Sequence, residues 1–155
     1  MRTVDHLPMR APPERVFAAA SDVEHWPALL PHYRWVHMLE RREGGGVVEM
    51  AAWRPFGRFR YPAWWVSEMW IDAAARTVRY RHIRGITAGM DVEWRIEPAG
   101  EGSDVTIVHE WTGPGWPVVG RPAAAWVIGP VFVHGIAKRT LAGLAAVAEA
   151  QNRVG

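Results

Sequence analysis

The chain has 155 residues, 49% of them apolar and 22% charged, which suits one globular domain and excludes disorder and collagen-like repeats. With no cysteine, a disulfide scaffold, Cys-ligated zinc and a thiol nucleophile are also excluded. Eighteen basic residues stand against 16 acidic ones, and Glu40, Glu43, Glu68, Glu93, Glu97 and Glu110 are interleaved with the arginines, which argues against a nucleic-acid partner. The anomaly is tryptophan: ten residues, against three Tyr and four Phe, are more than a short chain can bury without lining a space or a surface.

Met1 to Glu14 lacks the apolar run of a signal peptide. The uncharged run Pro122 to Ala137 falls short of the ~20 apolar residues of a spanning helix. A soluble cytoplasmic protein without stable membrane insertion is expected. No linker or repeat divides the chain, so residues 1–155 read as a single domain.

In chain order, residues 3–10 read as a strand. Ala11-Pro12-Pro13-Glu14 then opens a short helix, because proline is tolerated in a first turn; Val16, Phe17 and Ala20 form its apolar stripe. Ser21-Asp22 is expected to cap a second short helix, Val23 to Leu30, which Pro31 stops. Strand character with turn punctuation follows at 33–42, 47–54, 58–71, 76–84, 89–97 and 104–112, a spacing that suits an antiparallel meander. After Pro114-Gly115-Trp116-Pro117 the period turns helical. Val133, Ile136, Ala137, Thr140, Leu141, Leu144, Val147 and Ala148 share one stripe, and Gly129-Pro130 is expected to kink or restart the helix. The fold class is α+β: two short helices after strand 1, then a curved antiparallel sheet of six to seven strands around one long C-terminal helix, a packing that leaves room for a cavity.

Several of these segments resemble the START-like, or SRPBCC, helix-grip superfamily, in particular its polyketide cyclase/dehydrase (aromatase/cyclase-like) branch. The resemblance rests on Ala11-Pro12-Pro13-Glu14-Arg15-Val16-Phe17, Ser21-Asp22-Val23-Glu24-His25-Trp26-Pro27, Leu39-Glu40 and Ile136-Ala137-Lys138-Arg139-Thr140-Leu141, and it covers essentially the whole chain. It implies an internal cavity for a hydrophobic, often aromatic, small molecule. The superfamily spans cyclases, quinone-binding chaperones, lipid carriers and plant ligand-binding proteins, and no cyclase catalytic motif maps onto this chain.

Strand parity selects the inward side chains independently. Met90, Val92, Trp94 and Ile96 alternate with Asp91, Glu93, Arg95 and Glu97. By the same logic Val78, Tyr80, His82 and Arg84 share one face, as do Val105, Ile107, His109 and Trp111. In 58–71, Phe59, Tyr61, Ala63, Trp65, Ser67, Met69 and Ile71 share the inward face, while Trp64, Val66 and Trp70 take the other. The expected registers put His82 opposite both Ser67 and Val92, and Val92 opposite His109. The two imidazoles would then lie two strands, roughly 9 to 10 Å, apart. On the outer face Glu68 would meet Arg81 and Glu93 in a solvated ladder worth little energetically.

The candidate catalytic residues are therefore His82 and His109, since imidazole can take and return a proton near neutrality. The candidate ligand-binding residues are Tyr61, Trp65, Ser67, Tyr80, Met90, Trp94 and Trp111. Each histidine equally fits a hydrogen-bonded core residue, and each tryptophan fits simple packing. Arg54 and Arg58 either guide an anionic ligand or belong to a solvated hairpin. His25, His32 and His37 lack metal-ligand spacing, Gly44-Gly45-Gly46 lacks the Lys and Ser/Thr of a phosphate loop, and none of Ser21, Ser67 and Ser103 sits in a nucleophile elbow. No metal or cofactor is expected. Two functions stand: a cofactor-independent aromatase/cyclase or dehydratase, and a non-catalytic quinone or lipid carrier. Contact with another protein through Trp64 and Trp70, and a homodimer, stay open.

Overall fold

A computed structural model describes residues 1–113 and 130–154 of the chain. The expected turn at 114–117 lies outside the described residues, as do Gly129 and the side chain of Val133. Strand β1 (Arg2–Met9) leads into helix α1 (Pro13–Ser21), a 3₁₀ turn (Val23–His25) and helix α2 (Trp26–Leu29). Strands β2 (Tyr33–Arg42), β3 (Gly45–Phe56), β4 (Phe59–Asp72), β5 (Thr77–Gly85), β6 (Asp91–Ala99) and β7 (Gly102–Glu110) follow, and helix α3 spans Pro130–Val154.

The strands form one seven-stranded sheet in the order β1-β7-β6-β5-β4-β3-β2, antiparallel throughout. β2 to β7 are a meander, and β1 adds beside β7. Consecutive strands β1 and β2 are thus the two edges of the sheet, and α1 and α2 carry the chain from one to the other. This is the α+β helix-grip fold.

Local chemistry explains the short helices. Pro12 is extended (φ −64°, ψ 149°) and Pro13 opens α1, where its missing N–H costs nothing, while Glu14 suits the positive end of the helix dipole. Val16 and Ala20, one turn apart, are buried. The expected cap at Ser21-Asp22 takes another form. Ser21 Oγ donates back to the Phe17 carbonyl (2.8 Å), and the Asp22 carboxylate holds His25 Nδ1 (2.7 Å) instead of a backbone N–H.

The core lies between the concave sheet face and α3, whose Ala137, Thr140, Leu141, Leu144 and Ala148 are buried at helical spacing. On β6 the alternation is realised: Val92, Trp94 and Ile96 are buried, and Asp91, Arg95 and Glu97 are exposed. Trp26 is buried, donates its indole N–H to the Ala19 carbonyl (3.0 Å) and meets Tyr33 edge-on (5.1 Å, 63°). Trp64 and Trp70 stand on the outer face, 40% and 45% exposed.

One expected register is corrected. β5 and β6 pair Tyr80 with Val92 and Arg81 with Asp91, so His82 lies opposite Met90 and not Val92. The cause is the hairpin loop. Gly85 and Gly89 take positive φ (99° and 86°), and within the loop Gly89 N–H bonds to the His82 carbonyl (2.8 Å) and His82 N–H to the Met90 carbonyl (2.9 Å). A two-residue shift leaves the paired residues Thr77 to Arg81 on their expected faces. It does change the outer ladder: Arg81 meets Asp91 (3.3 Å), and Glu93 meets Arg79 (3.2 Å). Ser67 opposite His82, Glu68 opposite Arg81 and Val92 opposite His109 hold as expected.

Candidate functional site

A cavity of about 80 Å³ lies between the concave sheet face and α3. Its aromatic wall consists of Trp26, Tyr33, Trp65, Tyr80 and Trp94. Met50, Val92 and Ile107 add aliphatic surface from the strands and Met90 from the β5–β6 loop, and Ile136 and Ala137 close it from α3. Four further side chains, His82, Thr87, His109 and Thr140, bring polar atoms to this lining.

His82 enters from the last turn of β5. Its ring stacks on Trp65 (5.9 Å between centroids, 14° between planes), and its Nδ1 lies 2.7 Å from the Thr87 hydroxyl in the β5–β6 loop. A bulge at Ile83 on β5 shifts the pairing from Ser67–His82 to Val66–Arg84, so that beyond His82 the facing changes: Ile83 and Arg84 are both exposed, although Arg84 was expected to share the inward face. Burial pulls the His82 pKa down to about 4, because the apolar surroundings disfavour the imidazolium. His109 enters from β7 and is 8% exposed. Val92 faces His109 and Tyr80 faces Val92, so His82 is displaced two residues along β5 from the direct line across the sheet. Combining two strand spacings with two residue rises puts the histidine backbones roughly 12 Å apart, more than the aligned register implied.

Of the residues named from the sequence, His82, His109, Trp65, Tyr80, Met90 and Trp94 share this lining. Ser67 points inward but lies fully buried below the cavity surface. Tyr61 is an inward residue near the β3–β4 turn, 39% exposed, and stands over Arg54 rather than in the cavity wall. Trp111 is buried and donates its indole N–H to the Ala88 carbonyl (3.1 Å), so it braces the β5–β6 loop. Arg54 is not on a solvated hairpin: it is 1% exposed, its Nη1 lies 3.4 Å from the Tyr61 hydroxyl, and burial lowers its pKa to about 10.

Strand parity missed Tyr33, Thr87 and Thr140. Tyr33 opens β2, next to a register irregularity, and Thr87 sits in a turn, so neither belongs to a clean alternation. Thr140 was legible only as part of the helical stripe. Among the described residues the hydroxyls of Ser67 and Tyr80 are buried without a hydrogen-bond partner. Tyr80 lines the cavity, and an unsatisfied buried hydroxyl is costly, so a ligand or water acceptor at this wall would be stabilising. Burial raises the Tyr80 pKa, with Tyr33 adding to the effect, which keeps the phenol protonated. Among the described residues no cluster of three or more His, Cys, Asp or Glu side chains could hold a metal ion, and no helix is long and apolar enough to cross a membrane.

A sheet gripping one long helix around an aromatic-walled cavity defines a helix-grip protein whose cavity lining is mainly apolar. More narrowly, residues 4–149 match the family described as polyketide cyclase/dehydrase and lipid transport, and the chain belongs to that family. It is 35% identical over 102 residues to a Streptomyces halstedii protein named as a polyketide cyclase, covering 64% of this chain and 91% of that one. It is 29% identical over 113 residues to the actinorhodin polyketide synthase bifunctional cyclase/dehydratase of Streptomyces coelicolor, covering 71% of this chain but only 34% of that protein. The fold is shared with the crystal structure of the Zhui aromatase/cyclase from Streptomyces sp. R1128: TM-score 0.73 at 21% identity, over 100% of this chain and 96% of that one. Together these findings support a hydrophobic ligand-binding or cyclase role.

Proposed function

We propose that the cavity binds an aromatic or polyketide-type molecule and that His82 and His109 act on it by acid–base chemistry, as in a cofactor-independent aromatase/cyclase or dehydratase. The observation that supports this is the approach of both imidazoles to one aromatic-walled cavity from different strands. With a pKa near 4, His82 is neutral at physiological pH. With Nδ1 taken by Thr87, Nε2 is the ring atom available to a ligand: it is a base when Nδ1–H donates to Thr87 and a donor when Thr87 donates. In an aldol cyclisation the base removes a proton from a carbon between two carbonyls. That carbon forms a bond to a second carbonyl carbon, whose oxygen takes up a proton, and loss of water then gives the unsaturated ring. The sequence is redox-neutral and needs no co-reactant.

A carrier of a quinone or lipid is the second reading. It is favoured by the bonding of His82, which Thr87 and Trp65 already hold as a packed wall residue, and by the apolar character of most of the lining. In vitro turnover of a linear poly-β-ketone separates the two. Wild-type protein is expected to cyclise it, with the rate lost in His82→Gln or His109→Gln at unchanged thermal stability. Equal rates in both variants would eliminate the acid–base assignment, and a retained quinone or lipid found by native mass spectrometry would establish the carrier.

A further inference from the structure

Three buried polar side chains from three elements meet on the helix side of the cavity. His32, in the turn before β2, places Nε2 3.0 Å from the Thr140 hydroxyl of α3. Thr140 in turn lies 3.4 Å from the Tyr33 hydroxyl. Thr140 and Tyr33 both line the cavity, and His32 packs behind them, its ring 4.7 Å from that of Tyr33.

The proton count allows this chain two directions, from His32 through Thr140 to Tyr33 or the reverse. A threonine hydroxyl has one proton to give and lone pairs to receive. In the direction with Thr140 donating to the Tyr33 oxygen (3.4 Å), the Thr140 oxygen accepts from His32 Nε2–H. Burial, reinforced by the nearby Arg139 cation, lowers the His32 pKa to about 4. The ring is therefore neutral at physiological pH and carries a single N–H. Burial raises the Tyr33 pKa, so the phenol keeps its proton, for which no acceptor other than Thr140 is found among the described residues. Edge-on contacts from Trp26 (5.1 Å, 63°) and Trp65 (6.4 Å, 65°) fix the plane of the Tyr33 ring.

We propose that His32 is a positioning residue which, through Thr140, holds the Tyr33 hydroxyl as a hydrogen-bond donor to a carbonyl oxygen of an aromatic ligand in the cavity. A hydroxyl whose lone pair is already engaged recognises acceptors and not donors. Of the groups on an aromatic ketone, only the carbonyl oxygen meets that requirement. The proposal rests on the reading of the cavity as a hydrophobic-ligand site and adds to it a preference among ligands of equal shape.

The test has a ligand-free arm and a ligand arm. Nitrogen-15 NMR of the His32 ring in the unliganded protein is expected to show the proton on Nε2; a proton on Nδ1 reverses the chain and overturns the proposal. In the ligand arm, affinities for acetophenone and for cumene, a near-isostere without the carbonyl, are measured in each variant. The wild-type preference for acetophenone is expected to fall roughly three- to tenfold in Tyr33→Phe, the worth of one buried hydrogen bond. It should fall similarly in Thr140→Val and His32→Leu and persist in Thr140→Ser and His32→Gln, with cumene affinity constant as the check on folding. An unchanged preference in Thr140→Val overturns the proposal while leaving the ligand-site reading intact. If neither compound binds the folded wild-type protein, the ligand-site reading fails and the proposal falls with it.

Discussion

The imidazole of His82 lies face to face with the indole of Trp65, 5.9 Å between centroids and 14° from parallel. The contact buries one side of a ring whose pKa is held near 4, and the cause is removal of water. Trp65→Ala should readmit water and raise the His82 pKa toward its ordinary value by about one unit or more, read from the NMR titration of the His82 ring. A pKa that stays near 4 would assign the shift to groups other than Trp65.

Two depressed histidines make stability depend on pH in a defined sense. His32 and His82 have folded pKa values near 4 against an ordinary value of 6.5. Between those limits the unfolded chain binds protons that the folded protein refuses. Their stabilising effect is therefore complete above pH 6.5 and is lost as pH falls through 4. The loss is on the order of 3 kcal/mol for His32 and less for the partly exposed His82. His25 acts oppositely, its pKa raised by the Asp22 hydrogen bond, but it is fully exposed. Urea denaturation at pH 7, 5 and 4 should show the decline, and His32→Gln should flatten it.

Trp111 is expected to act on stability more than on ligand affinity, because its indole N–H holds the Ala88 carbonyl (3.1 Å). Trp111→Phe should lower unfolding free energy by about 1 kcal/mol and speed hydrogen exchange in the loop that carries Thr87. Its effect on acetophenone affinity should be smaller than that of Trp94→Ala, since Trp94 lines the cavity directly.

The sheet was legible in the sequence because strand parity survives errors of register. On β6 the alternation from Asp91 to Glu97 is realised in full, and His82 and His109 both line the cavity although the β5–β6 pairing is shifted by two residues. What escaped was set by loops and by long-range contacts. The shift depends on positive φ at Gly85 and Gly89. Thr87 lies in the turn they shape, and the His32–Thr140 contact joins residues 108 positions apart. Arg54 read as a surface charge because local pattern does not show that a strand end will be covered.

Helix α3 approaches α2 closely at one glycine. A Cβ on Gly143 would overlap Leu30 Cδ2, and Leu30 is fully buried, so it has no free space to move into. Gly143→Ala gains up to about 1 kcal/mol of helix propensity but overpacks the contact at a cost of about 1 to 3 kcal/mol. A net loss of about 1 kcal/mol in urea-derived stability is expected; a gain would mean that Leu30 repacks freely.

The ten tryptophans offer the most direct test of where a ligand sits. Their indole N–H resonances can be followed in one nitrogen-correlated NMR spectrum while acetophenone is titrated into the protein. Trp26, Trp65 and Trp94, which line the cavity, should shift on saturation, and the outer-face Trp64 and Trp70, 40% and 45% exposed, should not. Shifts confined to Trp64 and Trp70, or no shifts at all, would contradict a ligand site between the sheet and α3.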